Sequence, residues 1–161
     1  MTLSIPQTKP ASSEALAALS RRYGELPPEY VRFLRNHDGA ALPDHVLDGT
    51  EDVYVAQFVP AAKIPAVADG IEGFPKYLIP FGHDDCGNYL CIGANDHKVY
   101  FWDHDFEDGC SVAANTFAEF LDRLVVQIFD EEEIMREASK AEYVWVDPEF
   151  KAAYRSYFKD K

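Results

Sequence analysis

Nine residues carry side chains able to do chemistry and lie close together in the chain: His83, Asp84, Asp85 and Cys86, then Asp96 and His97, then Asp103, His104 and Asp105. Imidazole and carboxylate groups together are ligands for a divalent cation, and Cys86 or Cys110 would extend the choice to zinc. Cys86 beside His83 or His104 would also be a nucleophile and its base. Neither chemistry is expected of them. The spacing matches no metal-ligand pattern, and aspartate is the ordinary residue of tight turns, where its carboxylate bonds nearby backbone amides. Nothing marks an oxyanion hole or a substrate pocket around Cys86. The chain also has no phosphate-binding glycine loop, no G-x-S-x-G elbow and no H-E-x-x-H pair. No catalytic residue, no metal and no cofactor is therefore expected.

These residues sit between three apolar runs of strand length: Leu78 to Phe81, Tyr89 to Ile92, and Val99 to Trp102. Gly, Asn and Asp punctuate the runs, and gaps of a few residues suit antiparallel neighbours, since a parallel crossover needs a dozen or more. A three-stranded meander follows, with His83-Asp84-Asp85 and Asp96-His97 at opposite ends of its central strand. Asp103-His104-Asp105 returns to the first group.

Both flanks of the meander carry segments suited to covering it. Leu16, Leu19 and Tyr23 share a helix face, with Ser13 as cap and Gly24 as stop. Pro27-Pro28-Glu29 restarts a helix with Tyr30, Phe33 and Leu34 buried, ending at Asn36-His37-Asp38-Gly39. Ala40 to Asp52 reads as polar and turn-rich, Val53 to Val59 as a strand, Ala61 to Asp69 as a short helix and Gly70 to Pro75 as loop. Thr116 and Glu119 have capping-box spacing, ahead of a helix whose face runs Phe117, Phe120, Leu121, Leu124 and Ile128. Beyond it, a helix to about Ser139, an edge strand at Tyr143 to Val146 and a last helix from Asp147-Pro148-Glu149 are expected. The fold class is α+β, with a central, mainly antiparallel sheet flanked by helices, in a single domain spanning residues 1–161.

Net charge is −13, and it is unevenly placed. Residues 1–36 carry +2, residues 37–109 carry −11 and residues 110–161 carry −4. A nucleic-acid backbone would be repelled, so no nucleic-acid partner is expected. The acidity serves solubility, or it attracts a basic partner. No apolar run approaches the length of a membrane span, no leader is evident, and the three cysteines form no C-x-x-C pair, so a cytoplasmic protein is expected. A Cys86–Cys91 bridge across the hairpin is sterically conceivable but not expected in a reducing cell.

Several blocks taken in order carry a resemblance. They are Leu26-Pro27-Pro28-Glu29-Tyr30 with Phe33-Leu34 and Asp38-Gly39, Leu78 to Gly82, Gly87 to Ile92, Val99 to Asp105, and Ala114 to Leu121. Their sequence and spacing, over about residues 13–126, resemble the SUKH superfamily, bacterial relatives of the fungal Smi/Knr cell-wall-assembly regulators. Residues 127–161 then form an extension. The resemblance implies the same α+β fold and, for most bacterial members, an immunity protein that binds and neutralises a cognate toxin, often a nuclease. The alternative it implies is a regulatory or scaffold protein that binds a small ligand or a housekeeping enzyme. With that implication, the acidic middle third is expected to face a basic toxin domain. From charge and loop position, the expected contacts are Asp84, Asp85, Asp103, Asp105, Glu107 and Asp108, with Asp48, Glu51 and Asp52 as a second group. Tyr89 and Trp102 are the expected aromatic anchors. The oligomeric state, monomer or weak dimer, is left open.

Overall fold

The computed structural model describes residues 4–50, 53–106 and 109–126. The extension from residue 127, with its expected helices and edge strand, and Ile128 lie outside the described residues. Among these, four helices and seven strands follow in the order α1 (Ser13–Tyr23), α2 (Pro28–His37), β1 (Ala41–Leu47), β2 (Tyr54–Phe58), α3 (Ile64–Gly70), β3 (Leu78–His83), β4 (Tyr89–Gly93), β5 (Val99–Trp102), β6 (Cys110–Ala114), α4 (Phe117–Asp122) and β7 (Leu124–Val126). The strands form one curled antiparallel sheet in the order β6-β5-β4-β3-β2-β1-β7. The α+β reading is therefore correct.

The expected meander is β3, β4 and β5. Ile79 faces Ile92, Leu90 faces Phe101 and Tyr89 faces Trp102 across its ladders. Alternation along these strands separates two faces. Leu90, Ile92, Val99 and Phe101 point into the main core with residues of α1, α2 and α4. Tyr30, Phe33, Phe58, Phe81, Phe117 and Phe120 fill the centre of that core as edge-to-face, tilted and stacked ring pairs 4.6–6.3 Å apart. Each such side chain contributes about 2–3 kcal/mol by burial. Tyr89, Cys91, Tyr100 and Trp102 point the other way, into a smaller cluster around Phe74 and Leu78.

The helices obey the expected stripes, with local differences. Leu19, Tyr23, Tyr30, Phe33 and Leu34 are buried. The cap of α1 is Ser12, not Ser13; its hydroxyl accepts from the Ala15 amide. Thr116 accepts from the Glu119 amide, while the Glu119 carboxylate reaches back to the Asn115 amide and side chain. Three expectations are corrected. Ala41–Leu47 is a strand, because the register between Ala41 and His45 is irregular and so accommodates Pro43, which lacks a ladder donor. Cys110–Ala114 is an unforeseen strand beside β5. The helix after Thr116 ends at Asp122, and Leu124–Val126 pairs with β1.

Candidate functional site

In a meander, alternate connections fall at the same end of the sheet. The β1–β2, β3–β4 and β5–β6 connections therefore share one end, and the β4–β5 turn lies at the other. This places the Asp48, Asp84/Asp85 and Asp103/Asp105 groups on sibling connections. Asp96 and His97 sit opposite, as expected.

Hydrogen bonds lock two of the sibling connections together. Asp84 Oδ1 accepts from the Cys86 and Asn88 amides at 2.8 and 2.9 Å, and Oδ2 accepts from Asn88 Nδ2 at 2.8 Å. The last bond fixes the Asn88 amide, so its Oδ1 accepts from the His104 amide at 3.2 Å and lies 2.9 Å from His104 Nδ1. Gly87, at φ +99°, lies under the His104 ring in a conformation that suits glycine. His104 Nε2 is 3.2 Å from Asp105. Asp103 accepts from the Asp105 amide at 2.9 Å, and its own amide donates to Gly109 at 2.6 Å, closing the loop. A Cβ on Gly109 would collide with the Asp103 carbonyl.

Asp85 and Asp105 are exposed, as is Asp48, and Asp103 is half-buried. Asp84 corrects its expected surface role: it is only 6% exposed, and both carboxylate oxygens are engaged in building the turn. It shapes the loop that presents Asp85. Glu51, Asp52, Glu107 and Asp108 lie outside the described residues. Asp103, His104 and Asp105 bring donor atoms within 4.8 Å of one another, but the same groups hold the loop closed. Cys86 is exposed, Cys91 is buried and Cys110 is half-buried, all as free thiols. Burial pushes the Cys91 and Cys110 thiols above the usual range.

Tyr89 and Trp102 are half-buried around Phe74, whose ring centroid is 6.2 Å from Tyr89 and 5.2 Å from Trp102. Beside them a groove of about 500 Å³ runs between Tyr77, Trp102 and Phe106, with Glu72 and His104 on its walls. Tyr77 and Phe106 were missed in the sequence: they are 51% and 67% exposed, and they stand in connections rather than in an alternating strand. The available signal was an aromatic ring placed where neither helix nor strand periodicity called for one.

A second groove, about 650 Å³, lies between the end of α1 and the end of α3. Arg22 makes a paired contact to Asp69 across it at 2.9 and 2.5 Å, and this bond holds the Asp69 carboxyl below its usual range. Lys76 and Tyr23 complete its walls. At the opposite end of the meander, Tyr100 donates to Asp96 at 2.6 Å; the bond lowers the Asp96 carboxyl and pushes the phenol up to about 12.

The family model described as SMI1 / KNR4 family (SUKH-1) matches residues 10–123. The chain belongs to the SMI1 / KNR4 family (SUKH-1). The match covers α1 through α4, including every connection described above. The SPbeta prophage-derived uncharacterized protein YokK of Bacillus subtilis (strain 168) is similar at 26% identity over 145 residues, covering 71% of this chain and 74% of that protein. No helix among the described residues is long and apolar enough to cross a membrane.

Proposed function

We propose that this SUKH-1 protein is an immunity protein that binds and neutralises a basic toxin domain by occlusion, without chemistry of its own. The observation that carries the reading is the composition of the three sibling connections. Among the described residues they present Asp48, Asp85 and Asp105 to solvent and Asp103 half-buried, with no lysine or arginine in the connections themselves. Carboxylates concentrated at one end raise the encounter rate with a basic protein and disfavour acidic ones. A toxin that binds a polyanion would present the matching surface. Membership of the family and likeness to a prophage-derived protein support the same reading.

Co-expression tests it. Candidate basic toxin domains, beginning with any carried by a protein encoded next to this gene, are expressed with and without this chain, and growth is followed. Restored growth together with a co-purifying complex is the expected result. A toxic basic domain that neither binds nor is neutralised would refute the proposal.

The second reading, a regulatory or scaffold protein that binds a small ligand, is favoured by one feature. The α1–α3 groove is lined by the Arg22–Asp69 pair, by Lys76 and by the Tyr23 and Phe74 rings, a mixed polar and aromatic lining suited to a small ligand.

A further inference from the structure

We infer that the groove between Tyr77, Trp102 and Phe106 receives an arginine side chain from the partner protein. This inference rests on the partner-binding reading above and gives it a location and a chemistry. Three aromatic side chains line the groove, and two of them, Tyr77 and Phe106, are among the large hydrophobic residues left most exposed. Exposed aromatic rings gathered in one groove beside polar groups suit a guest that has both a flat face and hydrogen-bond donors. Trp102 is held in place from behind by its 5.2 Å edge-to-face contact with Phe74 and its cross-strand pairing with Tyr89, so its position is set before any guest arrives.

Charge selects the guest. Glu72 stands in the wall and Asp103 and Asp105 flank Trp102 and Phe106 in the chain, while no lysine or arginine lines the groove among the described residues. A cation is attracted both by ring faces and by carboxylates, and a guanidinium satisfies the two together. It is flat, stacks on aromatic rings, is weakly hydrated and can reach a carboxylate with its remaining donors. The compact, strongly hydrated ammonium of lysine does this less well. An acidic guest would be repelled by Glu72 in the wall, and a purely apolar one would make no use of that charge.

The test needs no toxin. The full chain, labelled with ¹⁵N, is titrated with a blocked Gly-Gly-Arg-Gly-Gly peptide and with the same peptide carrying citrulline or lysine. The expected result is saturable shifts at the Trp102 indole N–H and at the amides of residues 72–74, 76–77 and 103–106. Affinity should be roughly three- to five-fold higher for arginine than for citrulline, with lysine between. Phe106→Ala, which removes an exposed ring and spares the core, should abolish most of the preference. E72Q should weaken binding of the arginine peptide by about two- to three-fold and leave the citrulline peptide unchanged. Equal shifts with citrulline, or shifts spread over the acidic loops and unaffected by Phe106→Ala, would overturn the inference. So would a Trp102 resonance that responds to protein concentration but not to peptide, which would place a second copy there. The outcome is separate from the co-expression result. A protein that neutralises its toxin yet ignores the peptide loses only the groove, and one that binds the peptide yet neutralises nothing loses only the immunity reading.

Discussion

Asp84 and Asp85 are adjacent and identical in type, yet the fold gives them opposite tasks. Asp84 is turned inward, where its carboxylate satisfies two backbone amides and the Asn88 side chain. Asp85 faces water and has only its charge to offer. Asp84→Ala leaves those donors without their acceptor and releases the Asn88 amide that holds the neighbouring loop. The expected cost is about 2–3 kcal/mol, since hydrogen bonds to a charged group contribute more than neutral ones. Asp85→Ala should leave stability within roughly 0.5 kcal/mol and slow association with a basic partner. Urea unfolding and stopped-flow association read the two effects independently. Similar unfolding midpoints for the two variants would show that the turn does not depend on the Asp84 carboxylate.

Elements were legible in the chain wherever one periodicity stood alone. The meander shows because β-branched and aromatic runs alternate between glycine and asparagine stops, and α1 and α2 show because their apolar stripes have only the helical period. The stretch from Thr116 to Val126 fits two readings. Phe117, Phe120, Leu121 and Leu124 satisfy helical spacing whether or not the helix continues, and all four are at least partly buried although it stops at Asp122. Pro43 hid β1, because proline argues against an inner strand unless the ladder is irregular there. The connections after β3 and β5 could be placed together from the sequence because meander topology groups them, whereas the one after β1 could not, since β1 was hidden. The inward turn of Asp84 could not, since it depends on the local path of five residues. Arg123, the residue after α4, joins distant parts of the sheet. Its Nη1 donates to the Ala113 carbonyl of β6 and its Nη2 to the Asp48 carbonyl after β1, both at 2.7 Å. One guanidinium thus ties β6, at one edge of the strand order, to the connection after β1, the strand next to the other edge. A planar group with several donors suits both bonds. Arg123→Ala should cost about 2–3 kcal/mol and raise amide exchange in β6 and β7 before the meander is affected. Arg123→Lys should recover less than half of that loss. Exchange that rises evenly over the whole sheet would mean that the residue stabilises the fold without closing it.

At the scale of the molecule, charge and architecture separate together. Residues 1–36, which contain α1 and most of α2, carry net +2, while residues 37–109 carry −11 and include the three sibling connections. Under the proposed function, a basic partner would be drawn toward the end that carries these connections. Steered association weakens as salt contracts the Debye length, from roughly 20 Å near 20 mM to roughly 6 Å near 300 mM. Over that range the association rate with the basic toxin domain should fall about ten-fold or more. Placement is then distinguished from total charge by two triple variants of equal net change. Asp85→Asn, Asp103→Asn and Asp105→Asn together remove three charges from the connection end while keeping side-chain acceptors. Glu14→Gln, Glu25→Gln and Asp96→Asn remove three exposed charges outside the sibling connections. The first variant should flatten the dependence of rate on salt markedly and the second only slightly, with dissociation rates changed much less than association rates in both. Equal slopes would mean that net charge, and not the end of the sheet on which it is gathered, brings the partner in.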